Sequence, residues 1–181
     1  MLATFEALQQ TGHRSHVPLW VPWPLPPGWL VSGVRVAGDE HTGPVAAVVA
    51  CSGPNPLAAG VDEPRSADLL LVAEQPGVGL GAHLAGLADV DPGSAVGFDS
   101  PHLKLVASGQ HTPLWSVDAR DCTAYVGEAV GDWLWALVWP QNASAVLLEE
   151  FELRDVRDRG LLMELPPPGA PPVPARGRCG G

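Results

Sequence analysis

Apolar residues occur along this chain in short runs, each closed by glycine or proline. Runs of about four to eight residues, enriched in β-branched and aromatic side chains, are typical of β-strands. They predict eight strands, at residues 29–36, 45–51, 68–73, 103–107, 114–117, 123–128, 133–139 and 145–148. Residues 125–139 also predict a hairpin that turns near Gly131 and Asp132. The chain is therefore expected to be rich in β-structure.

Helical patterns are short by comparison. Residues 149–159 predict a surface helix, because Glu150 and Arg154 stand four positions apart with the acid first. Residues 3–10 predict a second short helix. The expected fold class is α+β and dominated by β-structure: one compact domain of about eight short, largely antiparallel strands with one or two short helices.

Proline divides the chain into three parts. Residues 17–29, with the sequence VPLWVPWPLPPGW, are expected to run extended across the domain surface, because proline fixes φ and removes a backbone donor. Residues 166–181, PPPGAPPVPARGRCGG, hold too few apolar side chains to form a core and are expected to be a disordered tail. The sequence therefore predicts an N-terminal extension at 1–16, a single β-rich domain at 17–165 and this tail.

Acidic residues dominate the part of the chain that is expected to fold. Residues 1–165 carry 8 basic and 20 acidic side chains, a formal net charge of -12. Such a surface repels phosphate groups, so neither nucleic acid nor a membrane is expected as a partner. The expected partner is a protein or a small molecule, and a small-molecule ligand would be neutral or cationic.

Cysteine usage and the N-terminal residues predict a cytoplasmic location. Cys51, Cys122 and Cys179 form no CxxC pair, which indicates reduced thiols rather than a disulfide framework. Residues 1–10 lack the basic and long apolar regions of a signal peptide. The apolar run at 133–139 is much shorter than the roughly 20 residues needed to cross a bilayer.

Several common cofactor and metal sites lack the residues that they require. Lys104 is the single lysine and does not follow a glycine-rich turn, which excludes a P-loop and weakens any Schiff-base mechanism. His13 and His16 stand three positions apart, but no third ligand lies nearby in the sequence. Neither a cofactor nor a metal is expected.

The segment at residues 74–83 is the strongest candidate for ligand binding. Its spacing is GxGxG rather than the GxGxxG of dinucleotide-binding folds, which favours a tight turn in which glycine supplies positive φ angles. The turn follows a predicted strand and ends on a histidine. The candidate ligand-binding residues are Glu74, Gly77, Gly79, Gly81 and His83, together with Trp23 and Trp29.

An enzyme is the alternative interpretation. Cys51 and His83 could form a nucleophile and a base, with Glu74 orienting the imidazole, as in a small hydrolase or acyl-transfer enzyme. A cysteine at the end of an apolar run is more often a small buried core residue. The sequence therefore favours a non-catalytic binding or regulatory module.

Seven tryptophans accompany only three phenylalanines and one tyrosine. Trp133, Trp135 and Trp139 share one face if they lie on a strand. They can form a core layer covered by residues 17–29, or an exposed platform for a sugar, a methylated amine or a proline-rich peptide. The core is favoured, because so few other aromatic residues are available to fill the interior.

The order of several sequence blocks resembles a family of unknown function from actinobacteria. The blocks include VPLWVPWPLPPGWL (17–30), LLVAEQPGVGLGAH (70–83), TPLW (112–115) and WLWALVWP (133–140), and the resemblance spans residues 16–165. Relatives often begin with a CPxCGG-type zinc ribbon, which this sequence lacks. Some relatives are labelled phosphate acetyltransferases, but no motif in this sequence indicates a coenzyme A or acetyl phosphate site. The resemblance therefore implies a family without an established activity.

Overall fold

A single nine-stranded sheet, nearly closed on itself, dominates the computed structural model, which describes residues 8, 10–60, 62–88, 91–96, 99–149 and 151–158. The strands are β1 (Trp20–Trp23), β2 (Leu30–Asp39), β3 (Gly43–Pro54), β4 (Ser66–Glu74), β5 (Leu103–Ala107), β6 (Gln110–Val117), β7 (Thr123–Ala129), β8 (Asp132–Trp139) and β9 (Glu152–Asp155). Their order in the sheet is β1-β9-β5-β6-β7-β8-β4-β3-β2. Neighbouring strands are antiparallel, except that β5 and β9 are parallel.

Residues on the central strands alternate between two hydrophobic clusters. One face of β3, β4 and β8, which includes Cys51 and Leu69, packs with residues of β1, β5 and β9 to form the inner core. The opposite face carries the outer cluster, centred on Val72 and Trp135. Helix α1 (Leu80–Leu84) covers the outer cluster. A second short helix, α2 (Pro92–Ala95), follows it in the chain.

The sheet confirms that the fold is dominated by β-structure, with nine strands in place of the predicted eight. Strand β5 has the predicted bounds. The predicted hairpin is also confirmed, because Ala129 faces Asp132 across a turn at Val130 and Gly131. Both turn residues have positive φ angles, 59° and 86°. Short apolar runs therefore predicted most of the strands correctly.

The helix predicted at residues 149–159 is wrong. Strand β9 lies there and pairs with β1, and its Leu153 is fully buried in the inner core. Arg154 forms an ion pair with Glu152, two positions away, as neighbours on one face of a strand do. Pairing with a distant strand and burial of Leu153 outweigh the local helical pattern.

The strand predicted at residues 145–148 is also wrong. A 3-10 helix spans Gln141–Leu148. Its buried residues, Ala143, Val146 and Leu147, are three and four positions apart, the spacing of one helical face. An apolar run of this length does not by itself distinguish a strand from a helix.

The segment at residues 17–29 contributes to the core instead of lying across the surface. Val17, Leu19 and Trp20 are at most 1% exposed. Pro22 lies in β1, which is an edge strand and so tolerates a residue without a backbone donor. Burial of the apolar side chains between the prolines therefore determines where the segment runs.

Parts of the sequence-based predictions lie outside the described residues. These include the tail at 166–181 with Cys179 and most of the helix at 3–10. Leu8 is described and packs in the inner core, although the domain boundary predicted at residue 16 stays a prediction. Within the described ranges, no helix is both long and apolar enough to cross a membrane.

Candidate functional site

The carboxylate of Glu74 anchors the glycine-rich turn to the sheet. Glu74 ends β4, and its side chain is 1% exposed. Its Oε2 accepts hydrogen bonds from the backbone N–H groups of Leu80 at 2.5 Å and Gly81 at 3.2 Å. Its Oε1 accepts a bond from the indole Nε1 of Trp135 at 2.8 Å. Three donors therefore hold this carboxylate in place at the start of α1.

Burial raises the pKa of Glu74 above its usual range, while the N–H groups of Gly81, Leu80 and Trp135 act in the opposite direction. All three partners are donors, and a carboxylate accepts from donors better than a protonated acid does. The geometry is that of a structural acceptor, with the carboxylate enclosed by the groups that it binds.

Positive φ angles at the glycines confirm the predicted tight turn. Gly77 and Gly79 have φ angles of 91° and 76°. Gly81 is needed for a different reason: a Cβ built on it would lie 2.3 Å from Cδ1 of Trp135. Helix α1 thus approaches the indole closely, and the GxGxG spacing serves packing and turn geometry at these positions.

The structure does not bring the candidate nucleophile and base together. Cys51 faces the inner core and is 0% exposed. His83 is exposed on α1, which covers the opposite face of the sheet. Burial raises the pKa of the Cys51 thiol to about 12. Glu74 is already bound by three other donors, so the arrangement lacks the contacts of a Cys–His–Glu triad.

The two remaining candidate residues cover the inner core. Trp29 is 8% exposed, and Trp23 is partly buried against the same cluster. A Cβ on Gly53 would lie 2.4 Å from Cγ of Trp29, so the ring lies directly on strand β3. Neither residue lies beside the Glu74 carboxylate, whose partners are Leu80, Gly81 and Trp135.

A separate open groove of about 740 Å³ lies at the other end of β4 and β8. Its volume falls within the roughly 300–1,000 Å³ of typical small-molecule sites. We call it the Trp139 groove. Among the residues that line it are Ser66, Asp68, Arg120, Asp121, Trp139 and Asn142.

An aromatic ring and a carboxylate stand side by side in the Trp139 groove. Asp68 and Trp139 are register partners on the antiparallel strands β4 and β8, so their side chains share one face. Trp139 packs partly against the outer cluster and is partly exposed. Ser52 donates to Asp68 Oδ1 at 2.6 Å. Asp68 Oδ2 has no hydrogen-bond partner among the described residues, which leaves it available to a ligand.

The loop between β6 and β7 adds one charge of each sign. Arg120 and Asp121 are exposed and line the groove. Within the described part of the chain, neither forms a hydrogen bond or an ion pair. Among the described residues that line the groove, the charged groups are thus two carboxylates, Asp68 and Asp121, and one guanidinium. Their formal charges sum to -1.

Asn55 fixes one rim of the groove. Its Nδ2 donates to the carbonyl oxygen of Pro64 at 3.0 Å and to Oδ1 of Asn142 at 3.2 Å. Its own Oδ1 accepts a bond from the backbone N–H of Leu57 at 3.1 Å. Asn55 is buried, so these bonds hold the β3–β4 loop against the start of the 3-10 helix. The amide donors of Asn142 have no hydrogen-bond partner in the described ranges, so they are available at the rim.

Sequence reasoning identified Trp139 as part of a possible aromatic platform but missed its polar neighbours. Trp133, Trp135 and Trp139 do share one face, as predicted, and all three contact the outer cluster. Trp135 is fully buried, which supports the core interpretation for this residue. Strand pairing places Asp68 opposite Trp139, and the β6–β7 loop places Asp121 in the lining of the same groove. The sequence carries no local signal for either arrangement.

Metal-ligating side chains are dispersed. His13 and His16 are both exposed. Across the described ranges, no group of three or more His, Cys, Asp or Glu side chains could hold a metal ion.

Comparison with known proteins gives a family but no activity. No curated protein and no solved structure is significantly similar to the chain. A family model described as a family of unknown function, DUF6758, matches residues 1–174. Because the match covers nearly the whole sequence, the chain belongs to this family of unknown function.

Proposed function

We propose that this chain is a non-catalytic binding domain and that the Trp139 groove holds its ligand. The observation that carries the proposal is the juxtaposition of a partly exposed indole, Trp139, with the carboxylate of Asp68. Exposed tryptophan offers a π-surface for stacking or for a cation, and a nearby carboxylate adds a directional acceptor. Together these groups suit recognition more than bond cleavage.

Charge restricts the ligand to a neutral or cationic group. The groove has two carboxylates and one guanidinium, on a chain whose residues 1–165 carry a formal charge of -12. That field repels phosphates and other anions and attracts cations. Ser66, Gln141 and Asn142 add neutral polar groups at the rim, which can orient a ligand by hydrogen bonds.

The candidate catalytic residues support binding rather than catalysis. Cys51 is enclosed in the inner core, His83 is exposed on the opposite face of the sheet, and Glu74 is bound by three N–H donors. A nucleophile and base need to lie within hydrogen-bond reach of each other. These three residues therefore give the hydrolase or acyl-transfer alternative no geometric support.

A thermal-shift experiment on the full chain tests this proposal. The probes are tetramethylammonium chloride, L-arginine, maltose and sodium phosphate, at matched ionic strength. A ligand that binds only the folded state raises Tm by mass action. We expect a concentration-dependent rise with a cationic or neutral probe and none with phosphate.

Two variants and one control locate the effect. Trp139→Ala and Asp68→Asn should abolish the ligand-induced rise in Tm. Trp133→Ala should retain it, because Trp133 is a partly buried indole on the same strand face but at the end away from the groove. A rise that survives Trp139→Ala, a rise with phosphate alone, or no rise with any cationic or neutral probe would contradict the proposal.

A further inference from the structure

We infer that the Trp139 groove binds a proline-rich basic peptide segment, and that residues 166–181 of this same chain are such a segment. This inference rests on the proposed binding function of the groove and names its occupant. It commits to an intramolecular contact, for which other ligands of the groove would compete.

The charges of the two partners are complementary. Residues 166–181 contain Arg176 and Arg178 and no acidic residue. The groove presents Asp121 and the Asp68 oxygen that no described residue binds, and Arg120 is the one positive group among the described lining residues. An arginine can bind a carboxylate through two parallel hydrogen bonds, which makes these carboxylates suitable partners. Attraction by the acidic domain as a whole acts in the same direction.

The apolar features of the two partners also match. Residues 166–181 contain six prolines, and proline-rich segments favour the extended polyproline II conformation. Domains that bind such segments do so in grooves lined by aromatic side chains. Trp139 supplies an aromatic ring, and the carboxylates of Asp68 and Asp121 line the same groove. In the sequence, Arg176 follows Pro174 by two positions.

The connecting chain is long enough for the contact. Asp158 is the last described residue, and Arg176 follows it by 18 positions. An extended chain of that length spans up to about 60 Å. A folded domain of this size has a radius of gyration of about 15 Å. Covalent linkage then gives an effective concentration on the order of millimolar, so even weak contacts are populated.

A spin label on Cys179 tests the contact in the full chain. In a Cys122→Ser variant, the label should attach to Cys179 alone, because Cys51 is 0% exposed. We expect the nitroxide to broaden the amide signals of groove residues such as Asp121 and Gln141. The broadening should fall at least twofold at about 1 M salt, which shortens the Debye length to about 3 Å. Cys122→Ala is the second variant if the serine disturbs folding.

Substitutions identify the groups that make the contact. Asp68→Asn combined with Asp121→Asn should remove the broadening at the groove, whereas Asp99→Asn, an exposed acid away from the groove lining, should not. Mixing isotope-labelled chain that carries no spin label with unlabelled, spin-labelled chain reports contacts between molecules. Broadening in this mixture as strong as within one chain would overturn the intramolecular contact.

The outcomes separate this inference from the proposed function. Broadening that is absent, that maps away from the groove, or that is insensitive to the Asp68 and Asp121 substitutions would overturn the inference. If a small probe still raises Tm through Trp139 in that case, the groove is a binding site with a different occupant. If the tail contact is present, Arg176→Ala with Arg178→Ala should also increase the Tm rise given by L-arginine, because the tail then competes less well for the groove.

Discussion

The carboxylate of Glu74 accepts a hydrogen bond from the indole Nε1 of Trp135 at 2.8 Å, across the paired strands β4 and β8. The same carboxylate accepts the backbone N–H groups of Leu80 and Gly81, where α1 begins. One buried side chain thus joins two strands and a helix. The Glu74 end of β4 and β8 therefore stabilises the fold. The candidate binding groove lies at the other end of these strands, at Trp139.

Replacing Glu74 should destabilise the fold. In Glu74→Ala, the N–H of Gly81 and the indole N–H of Trp135 lose their acceptor in a buried environment, and the N–H of Leu80 loses it in a partly buried one. Each unsatisfied buried donor costs about 1–3 kcal/mol, so the two buried donors alone should lower the free energy of unfolding by at least about 2 kcal/mol. Urea denaturation monitored by circular dichroism measures this change.

Glu128→Ala is the matched control, because Glu128 is an exposed acid on β7. Surface substitutions of this kind usually change stability by less than about 0.5 kcal/mol. Equal effects of Glu74→Ala and Glu128→Ala would show that the three hydrogen bonds do not hold the turn.

The pKa of Glu74 gives a pH dependence with a defined sign. Burial raises this pKa in the folded state above its ordinary value of 4.5. The folded protein therefore binds the Glu74 proton more tightly than the unfolded chain does. Binding of this proton stabilises the fold at pH values below 4.5, and the stabilisation is lost as the pH rises through the folded-state pKa. The stability of the wild type relative to Glu74→Gln should fall as the pH increases from about 4.5 and then level off.

Urea titrations of both proteins at a series of pH values measure this difference. A wild-type advantage that instead grows with rising pH would mean that the pKa of Glu74 is lowered, and that the three N–H donors outweigh burial.

A methyl group at position 81 should not be tolerated. In Gly81→Ala the new Cβ would lie 2.3 Å from Cδ1 of Trp135, which is itself fully buried. Overpacking of this kind costs about 1–3 kcal/mol, which should appear as a lower urea midpoint. Gly33→Ala is the control, since its Cβ would meet only one atom, at 4.0 Å. Wild-type stability in Gly81→Ala would refute the close packing of α1 on Trp135.

The thiol of Cys51 should be unreactive in the folded protein. It is 0% exposed and its pKa is raised to about 12, whereas the thiolate is the reactive species. In a chain with Cys122→Ser and Cys179→Ser, alkylation by iodoacetamide at pH 8 should follow global unfolding as urea is added. Rapid alkylation without urea would show an accessible thiolate and would revive the catalytic interpretation.

The local sequence pattern was sufficient to predict most strands of the sheet. Strand β5 and the β7–β8 hairpin follow directly from apolar runs and turn residues. Strand β9 does not, because its pairing with β1 joins residues more than 100 positions apart and overrides a helix-like sequence. The 3-10 helix at Gln141–Leu148 was missed because a short apolar run suits either conformation.

The candidate site was less predictable than the fold. The glycines at 77 and 79 have the positive φ angles expected of a tight turn, but the acceptor role of Glu74 depends on Trp135, which is 61 positions away. The Trp139 groove likewise depends on the register between β4 and β8 and on the β6–β7 loop. The acceptor role of Glu74 and the Trp139 groove both depend on contacts between segments that are distant in the sequence. Such contacts cannot be inferred from a single sequence.

The most direct test of the proposed binding groove follows the indole N–H signals of the seven tryptophans by NMR while the full chain is titrated with L-arginine, tetramethylammonium chloride or maltose. A Trp139→Phe spectrum assigns the relevant signal. The proposal predicts that the Trp139 signal shifts in a saturable manner with at least one of these three probes, while that of the buried Trp135 stays in place. Saturable shifts at other tryptophans without a change at Trp139, or no saturable shift with any of the three probes, would contradict it.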